Sequence, residues 1–298
     1  MAKGISIHVG VNEVSSTVFS APKLNHCEDD ANAMFELAKA AGFTPAEPLL
    51  GEKATFANVV KAIQDAATEL KPGETFLFTF SGHGSREPSD NFIEPDGRDE
   101  TIVLSDHLLL DSFWVNDLWP RFDSGVRAIV VADSCHAGGA FTLLDKLILS
   151  LISMKNFIMT RVAEMVGLRG VEPAARVPRV VRQLDEQEKK KEFKKFKDFY
   201  DMQAAVTAPP QGIRASRVIL SACRAREDAV ELDGHGAFTQ ALLDIWNQGA
   251  FPGPEGVFAD NYIGFIDAIK NEFNDPNQHP ELSQEGQPDF TSQRPFSI

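Results

Sequence analysis

The stretch Thr75-Phe76-Leu77-Phe78-Thr79-Phe80 runs straight into Ser81-Gly82-His83-Gly84. A short apolar run of this kind reads as a buried strand, and the glycine-flanked histidine marks where the chain leaves it. Working outward, three comparable runs occur: Ile5, Ile7, Val9 and Val11, closed by Gly10 and Asn12; Arg127 to Ala132; and Arg217 to Ala222. Between the first two strands lie stretches with one apolar helical face, Ala31, Met34, Leu37, Ala38 and Ala41, then Val59, Ile63, Ala67 and Leu70. Strands alternating with helices predict an α/β fold with an open, mostly parallel sheet. Ligands of such sheets bind beyond the carboxyl ends of the strands. The segments to read for chemistry are therefore Ser81 to Gly84, Asp133-Ser134-Cys135-His136-Ala137-Gly138-Gly139, and Cys223-Arg224.

With 43% hydrophobic and 24% charged residues among 298, the chain is neither disordered nor fibrous, and one large domain can use all of it. Lys and Arg number 29 against 43 Asp and Glu, a net charge of −14 that repels nucleic-acid phosphates and anionic lipid. Neither nucleic acid nor membrane is an expected partner. Cys27, Cys135 and Cys223 cannot all pair and form no CxxC, which excludes a disulfide framework and a zinc cluster and fits a reducing compartment. Met-Ala-Lys leads directly into a strand pattern with no room for a signal segment, so a cytoplasmic location is expected. His8, His26, His107, His235 and His279 show no metal-ligand spacing, and the glycines at 82 and 234 are too few for a nucleotide loop.

Residues 145–201 read differently. Leu147 to Met154, continuing to Leu168, is apolar but interrupted by Lys155, Arg161 and Glu164, too short and too charged to span a membrane and expected as a buried or capping helix. Pro173 and Pro178 break it, and the charged run from Gln183 to Tyr200 reads as a solvated helix or loop. From Asp145 to Tyr200 there are 13 Lys and Arg against 8 Asp and Glu, a basic insert on an acidic body.

A cysteine is a nucleophile when a base and oxyanion-stabilising amides accompany it. Cys135 follows a strand and precedes Gly138-Gly139, where the backbone can turn its amides towards a carbonyl. His83 ends the neighbouring strand. His136, adjacent to the nucleophile, should point elsewhere. Asp30 opens a helix three residues after Cys27 and shares the inward stripe of Ala31 and Met34. Either it needs a partner there, or Glu28, Asp29 and Asp30 simply favour the positive helix N-terminus.

The His and Cys boxes, Ser81-Gly82-His83-Gly84 and Asp133 to Gly138, resemble those of caspase-like cysteine peptidases, specifically the metacaspase branch and its prokaryotic orthocaspases. Supporting pieces are Cys27-Glu28-Asp29-Asp30-Ala31, Asp96-Gly97-Arg98-Asp99-Glu100 and Gly234-His235-Gly236-Ala237-Phe238-Thr239. The likeness covers roughly residues 3–140 and 215–270. It implies a caspase-like sheet flanked by helices on both faces, with a large-subunit region 1–140, a basic processing insert 141–214, and a small-subunit region 215–298 completing the same domain. By the same resemblance Cys135 is the nucleophile, His83 its base, the backbone amides of Gly84 and Cys135 the oxyanion hole, and Asp30, Asp133, Cys27 and Ser81 the specificity pocket. Two carboxylates in a partly desolvated pocket bind a guanidinium and repel an acidic side chain, so cleavage after Arg, then Lys, is expected.

Self-cleavage in the insert is a further expectation, with Lys146, Lys155, Arg161, Arg169, Arg176, Arg179 and the Lys189 to Lys197 cluster as candidates. The insert's charge also lets it rest on the acidic site as a plug. Metacaspases commonly bind calcium. Here Asp96, Asp99, Glu100, Asp106 and Asp111 are available, but Ser112 and Thr142 stand where carboxylates are expected, so no cofactor is required and calcium is not essential. A monomer is expected by analogy with metacaspases. The rival reading is an inactive caspase-like scaffold that binds a protein partner.

Overall fold

The computed structural model describes residues 2–15, 21–88, 98–135, 186–205, 213–224, 227–251, 260–273 and 277–298. In chain order these form β1 (Gly4–Gly10), α1 (Cys27–Ala40), β2 (Thr44–Pro45), β3 (Leu49–Leu50), α2 (Phe56–Glu69), β4 (Thr75–Ser81), β5 (Gly84–Pro88), β6 (Arg98–Val103) and β7 (Leu108–Leu110). An irregular helical stretch over 111–121 precedes β8 (Arg127–Asp133). Then come α3 (Glu186–Lys195), α4 (Lys197–Ala205), β9 (Ser216–Ser221), α5 (Ala237–Trp246), α6 (Tyr262–Glu272) and β10 (Glu281–Glu285).

Seven strands form the main sheet in the order β10-β9-β8-β4-β1-β2, with β3 also paired to β1. β1, β4, β8 and β9 are parallel and β10 runs antiparallel along β9. The four runs read from the sequence are these four central strands. Period-two alternation sends their side chains to two separate cores. Phe76, Phe78, Phe80, Val130 and Ile219 pack with Val59 and Ile63 of α2 and with Trp114 and Trp119. Leu77, Ile129, Val131 and Leu220 pack on the other face with Met34 and Leu37 of α1, Phe238 and Leu242 of α5, and Phe265 and Ile269 of α6. The sheet is mostly parallel with helices on both faces, as expected. Strands from before and after the insert share it, because β8 pairs with β9 from Arg127–Ser216 to Ala132–Ser221.

Two features depart from the sequence reading. A second sheet, β5-β6-β7, is antiparallel and starts at Gly84, immediately after His83. Its first two strands are rich in charged residues and lack strict alternation, so they carry no strand signal of their own. The other departure corrects the solvated reading of Gln183 to Tyr200. From Glu186 to Ala205 the chain is helical, with Lys191, Lys194, Lys195 and Lys197 facing solvent, but Glu192, Tyr200 and Gln203 are buried. Gln203 Oε1 accepts from the Leu110 N–H and its Nε2 donates to the Leu108 carbonyl, both at 3.1 Å, so one amide side chain takes the place of a neighbouring strand on β7. Tyr200 accepts from the Leu108 N–H at 3.2 Å and donates to Glu192, which His107 also meets at 3.3 Å. Burial raises the Glu192 pKa against the lowering effect of those partners. The aromatic face of Phe196 and Phe199, packed on the core beside α2, outweighs the exposure that the lysines favour. The apolar stretch 147–168 lies outside the described residues. Among the described residues no helix is long and apolar enough to cross a membrane.

Candidate active site

Strand register brings His83 and Cys135 side by side. Ser81 pairs with Asp133 as the last step between β4 and β8, and the Gly82 N–H reaches the Asp133 carbonyl at 3.3 Å. Each chain then runs two residues further, so His83 and Cys135 follow the ends of adjacent parallel strands at matching register. Gly84 follows so closely that a Cβ there would lie 1.7 Å from the Cys135 carbonyl oxygen. His83 is buried, and its Nε2 lies 2.6 Å from the carbonyl oxygen of Pro22. A carbonyl only accepts, so Nε2 carries the proton and Nδ1 is the basic nitrogen of the neutral ring. Cys135 is buried too, and its Sγ accepts the Ala229 N–H at 3.1 Å. Pro22 and Ala229 come from loops far away in sequence, and no local pattern announces them.

Asp30 and Asp133, the acids expected in the specificity pocket, both meet the N-terminal turn of α5. Asp30 and Asp133 are each 1% exposed. Asp30 takes the Ser81 hydroxyl at 2.6 Å, the His235 Nδ1 at 2.9 Å, and the Gly236 N–H at 3.0 Å and 3.2 Å to its two oxygens. Asp133 accepts from the Thr239 N–H at 3.0 Å and the Thr239 hydroxyl at 2.7 Å. Gly236 and Thr239 belong to the N-terminal turn of α5, whose free amides and positive dipole end make buried carboxylates tolerable. Asp30, Ser81 and Thr239, with Ala31, Met34, Thr79, Phe80 and Val131, line a cavity of about 10 Å³, space for roughly one water. Cys27 begins α1, its N–H held by Asn12 Oδ1 at 2.8 Å and its Sγ 3.8 Å from Glu231 Oε1.

One segment, 227–236, touches Cys135, the start of α1 and Asp30. Ala229 meets the nucleophile, Glu231 accepts from the amides of Asn25 and His26 at 3.1 Å and 3.0 Å, and His235 and Gly236 hold Asp30. Sequence reading set His235 aside with the non-ligand histidines; its glycine-flanked place before α5 was the available signal. The Asp30 hydrogen bond raises the His235 pKa, against a lowering by burial, with further raising by the charges of Asp30, Asp29 and Asp133.

Among the described residues no group of three or more His, Cys, Asp or Glu is arranged to hold a metal ion. Asp106 instead accepts from the Phe56 N–H at 2.7 Å at the start of α2, and Asp111 from the Glu100 N–H at 3.2 Å. Asp96, the Asp99 side chain, His136, Gly138, Gly139, Thr142 and the cleavage candidates from Lys146 to Arg179 lie outside the described residues.

Comparison with known proteins agrees with this geometry. The chain is 37% identical over 93 residues to Metacaspase-1 of Plasmodium falciparum, covering 30% of this chain and 15% of that one. It is 32% identical over 136 residues to Metacaspase-2 of Arabidopsis thaliana, covering 41% and 32%. The matches thus span less than a third of these relatives. The crystal structure of protein GSU0716 from Geobacter sulfurreducens superposes with a TM-score of 0.75 at 31% identity over 99% of both chains. Caspase-1 from Spodoptera frugiperda, at a TM-score of 0.51 and 11% identity over 99% of this chain and 90% of that one, shares the fold. The Caspase domain family model matches residues 4–285, through both boxes and the strands beyond the insert, and the chain belongs to that family.

Proposed function

We propose that this chain is a cysteine endopeptidase that cleaves after Arg, then Lys, through a Cys135–His83 dyad. The observation that carries the reading is the register-matched placement of Cys135 beside His83, whose proton is pinned on Nε2 by the Pro22 carbonyl. Nδ1 of His83 takes the thiol proton, and the Cys135 thiolate attacks the scissile carbonyl. The oxyanion is held by the amides of Gly84 and Cys135. Collapse to the thioester expels the amine, protonated by His83. Water, deprotonated by the same ring, then hydrolyses the thioester and frees Cys135.

Asp30 and Asp133, with Ser81 and Cys27 beside them, supply the negative charge that meets a basic side chain. Self-cleavage in the basic insert is the activating event; the enzyme acts as a cytoplasmic monomer on polypeptides and requires no cofactor.

The test is hydrolysis of two fluorogenic peptides, one ending in Arg and one in Asp, beside a Cys135→Ala control. Release from the Arg peptide alone, lost in the control, is expected. Release from the Asp peptide would discard the pocket but keep the dyad. Release from neither, with the insert cut, would favour a scaffold.

A further inference from the structure

His235 stands where an incoming cation would have to go. Its Nδ1 lies 2.9 Å from Asp30 Oδ1, while Ser81 holds Oδ2 at 2.6 Å and the Gly236 N–H spans both oxygens. Asp30 itself is 1% exposed, whereas the His235 side chain is 24% exposed, so the ring is the part of this arrangement that solvent reaches. We infer that His235 is a positioning and specificity-determining residue: its imidazole holds the seat on Asp30 that the substrate's basic side chain takes, and entry of a guanidinium displaces it. This rests on the reading of Asp30 as the acid that meets the residue before the scissile bond.

The surroundings set the sign of the pH dependence. Facing or flanking His235 are Asp29 and Asp30 of α1, Asp133 of β8, His26, whose Nε2 accepts from the Gly234 N–H at 3.4 Å, and Glu231, bridged across to Gly236. The three aspartates favour the charged ring, and its pKa is raised chiefly by Asp30. Below that pKa an imidazolium occupies Asp30 and a guanidinium must replace one cation by another. Above it the ring is neutral and leaves more readily. Linkage requires that guanidinium binding release a proton from His235 wherever the ring is charged in the free protein.

The discriminating substitution is His235→Asn, which keeps an N–H donor at the Nδ1 position and removes the charge. KM and kcat for the Arg peptide are measured from pH 5.5 to 9. In the wild type KM falls about fivefold to tenfold as pH rises through the His235 titration, the effect of a coupling near one pKa unit. In His235→Asn KM stays near the high-pH value throughout, with kcat following the wild-type profile. A KM profile identical in both proteins overturns the assignment. A second measurement does not depend on the His235 variant folding: calorimetric binding of the Arg peptide to Cys135→Ala whose insert has first been cut in trans by the active enzyme, in two buffers of different ionisation enthalpy, at pH 6.5. Net proton release supports the displacement and its absence overturns it. Arg turnover with a pH-independent KM rejects this role of His235 alone, whereas no Arg turnover at any pH rejects the pocket itself.

Discussion

Gly84 lies against the backbone of Cys135 so closely that an added Cβ would meet the Cys135 carbonyl carbon at 2.8 Å and its oxygen at 1.7 Å. Both are backbone atoms that cannot rotate aside. Gly84→Ala must therefore push β5 or the nucleophile's peptide out of place, and a displacement near 1 Å at a reacting group costs about 100-fold in rate. Hydrolysis of the Arg peptide should fall by about that factor in protein that still folds, with a stability loss of about 1–3 kcal/mol. Activity within threefold of wild type would show that the close approach is not needed.

Arg217 and Glu285 stand opposite one another on β9 and β10, ion-paired and 3% and 6% exposed, with Trp119 5.5 Å from the guanidinium. Removing one partner leaves a buried charge. Glu285→Ala should cost about 3–5 kcal/mol in urea unfolding, whereas Arg217→Met with Glu285→Leu should be close to neutral. Equal losses in the single and double variants would mean that packing, not charge, dominates there.

His8 is buried between strands, with Nδ1 2.9 Å from Thr79 Oγ1 and Nε2 2.9 Å from Ser6 Oγ, and burial lowers its pKa to about 3. Below pH 6.5 the unfolded chain takes up a proton that the folded chain refuses, so stability falls as pH falls, by about 1.4 kcal/mol per unit from this group. His235 acts with the opposite sign: its raised pKa contributes stability at low pH that is lost as pH rises. Unfolding at pH 7.5, 6 and 5 should show a shallower acid slope in His8→Gln than in the wild type. Parallel curves would sink the assignment.

Gln203 serves the edge of β7 with one amide, taking a Leu110 N–H and giving to a Leu108 carbonyl. Gln203→Ala leaves both buried groups without that partner, a loss of about 2–4 kcal/mol. Amide exchange at Leu108 and Leu110 should speed up with it. Unchanged exchange at both would show that α4 does not seal this edge.

Much of the framework was legible because it rests on local periodicity. The apolar runs ending at Phe80 and Ala132 named two central strands, and the residues just past them named His83 and Cys135. The inward stripe of Asp30 with Ala31 and Met34 was legible too, and the structure buries Asp30 on that stripe. The docking of 186–205 was not, since lysine-rich composition outvotes four aromatic residues when nothing shows what they face. Pro22, Ala229 and Glu231 were invisible for a related reason: each acts through a backbone group or a contact with residues far off in sequence, and such contacts exist only once the sheet has closed.

By itself, then, the sequence determined the parallel sheet, the two residues at its strand ends and the acids near them, because side-chain period and strand order follow from short-range sterics and burial. Long-range contacts alone settle which nitrogen of His83 carries the proton, that segment 227–236 lies against Cys135 and Asp30, and that His235 meets Asp30. Those outcomes depend on hydrogen bonds between groups some 60 to 200 residues apart in the chain, where no local preference of the chain operates.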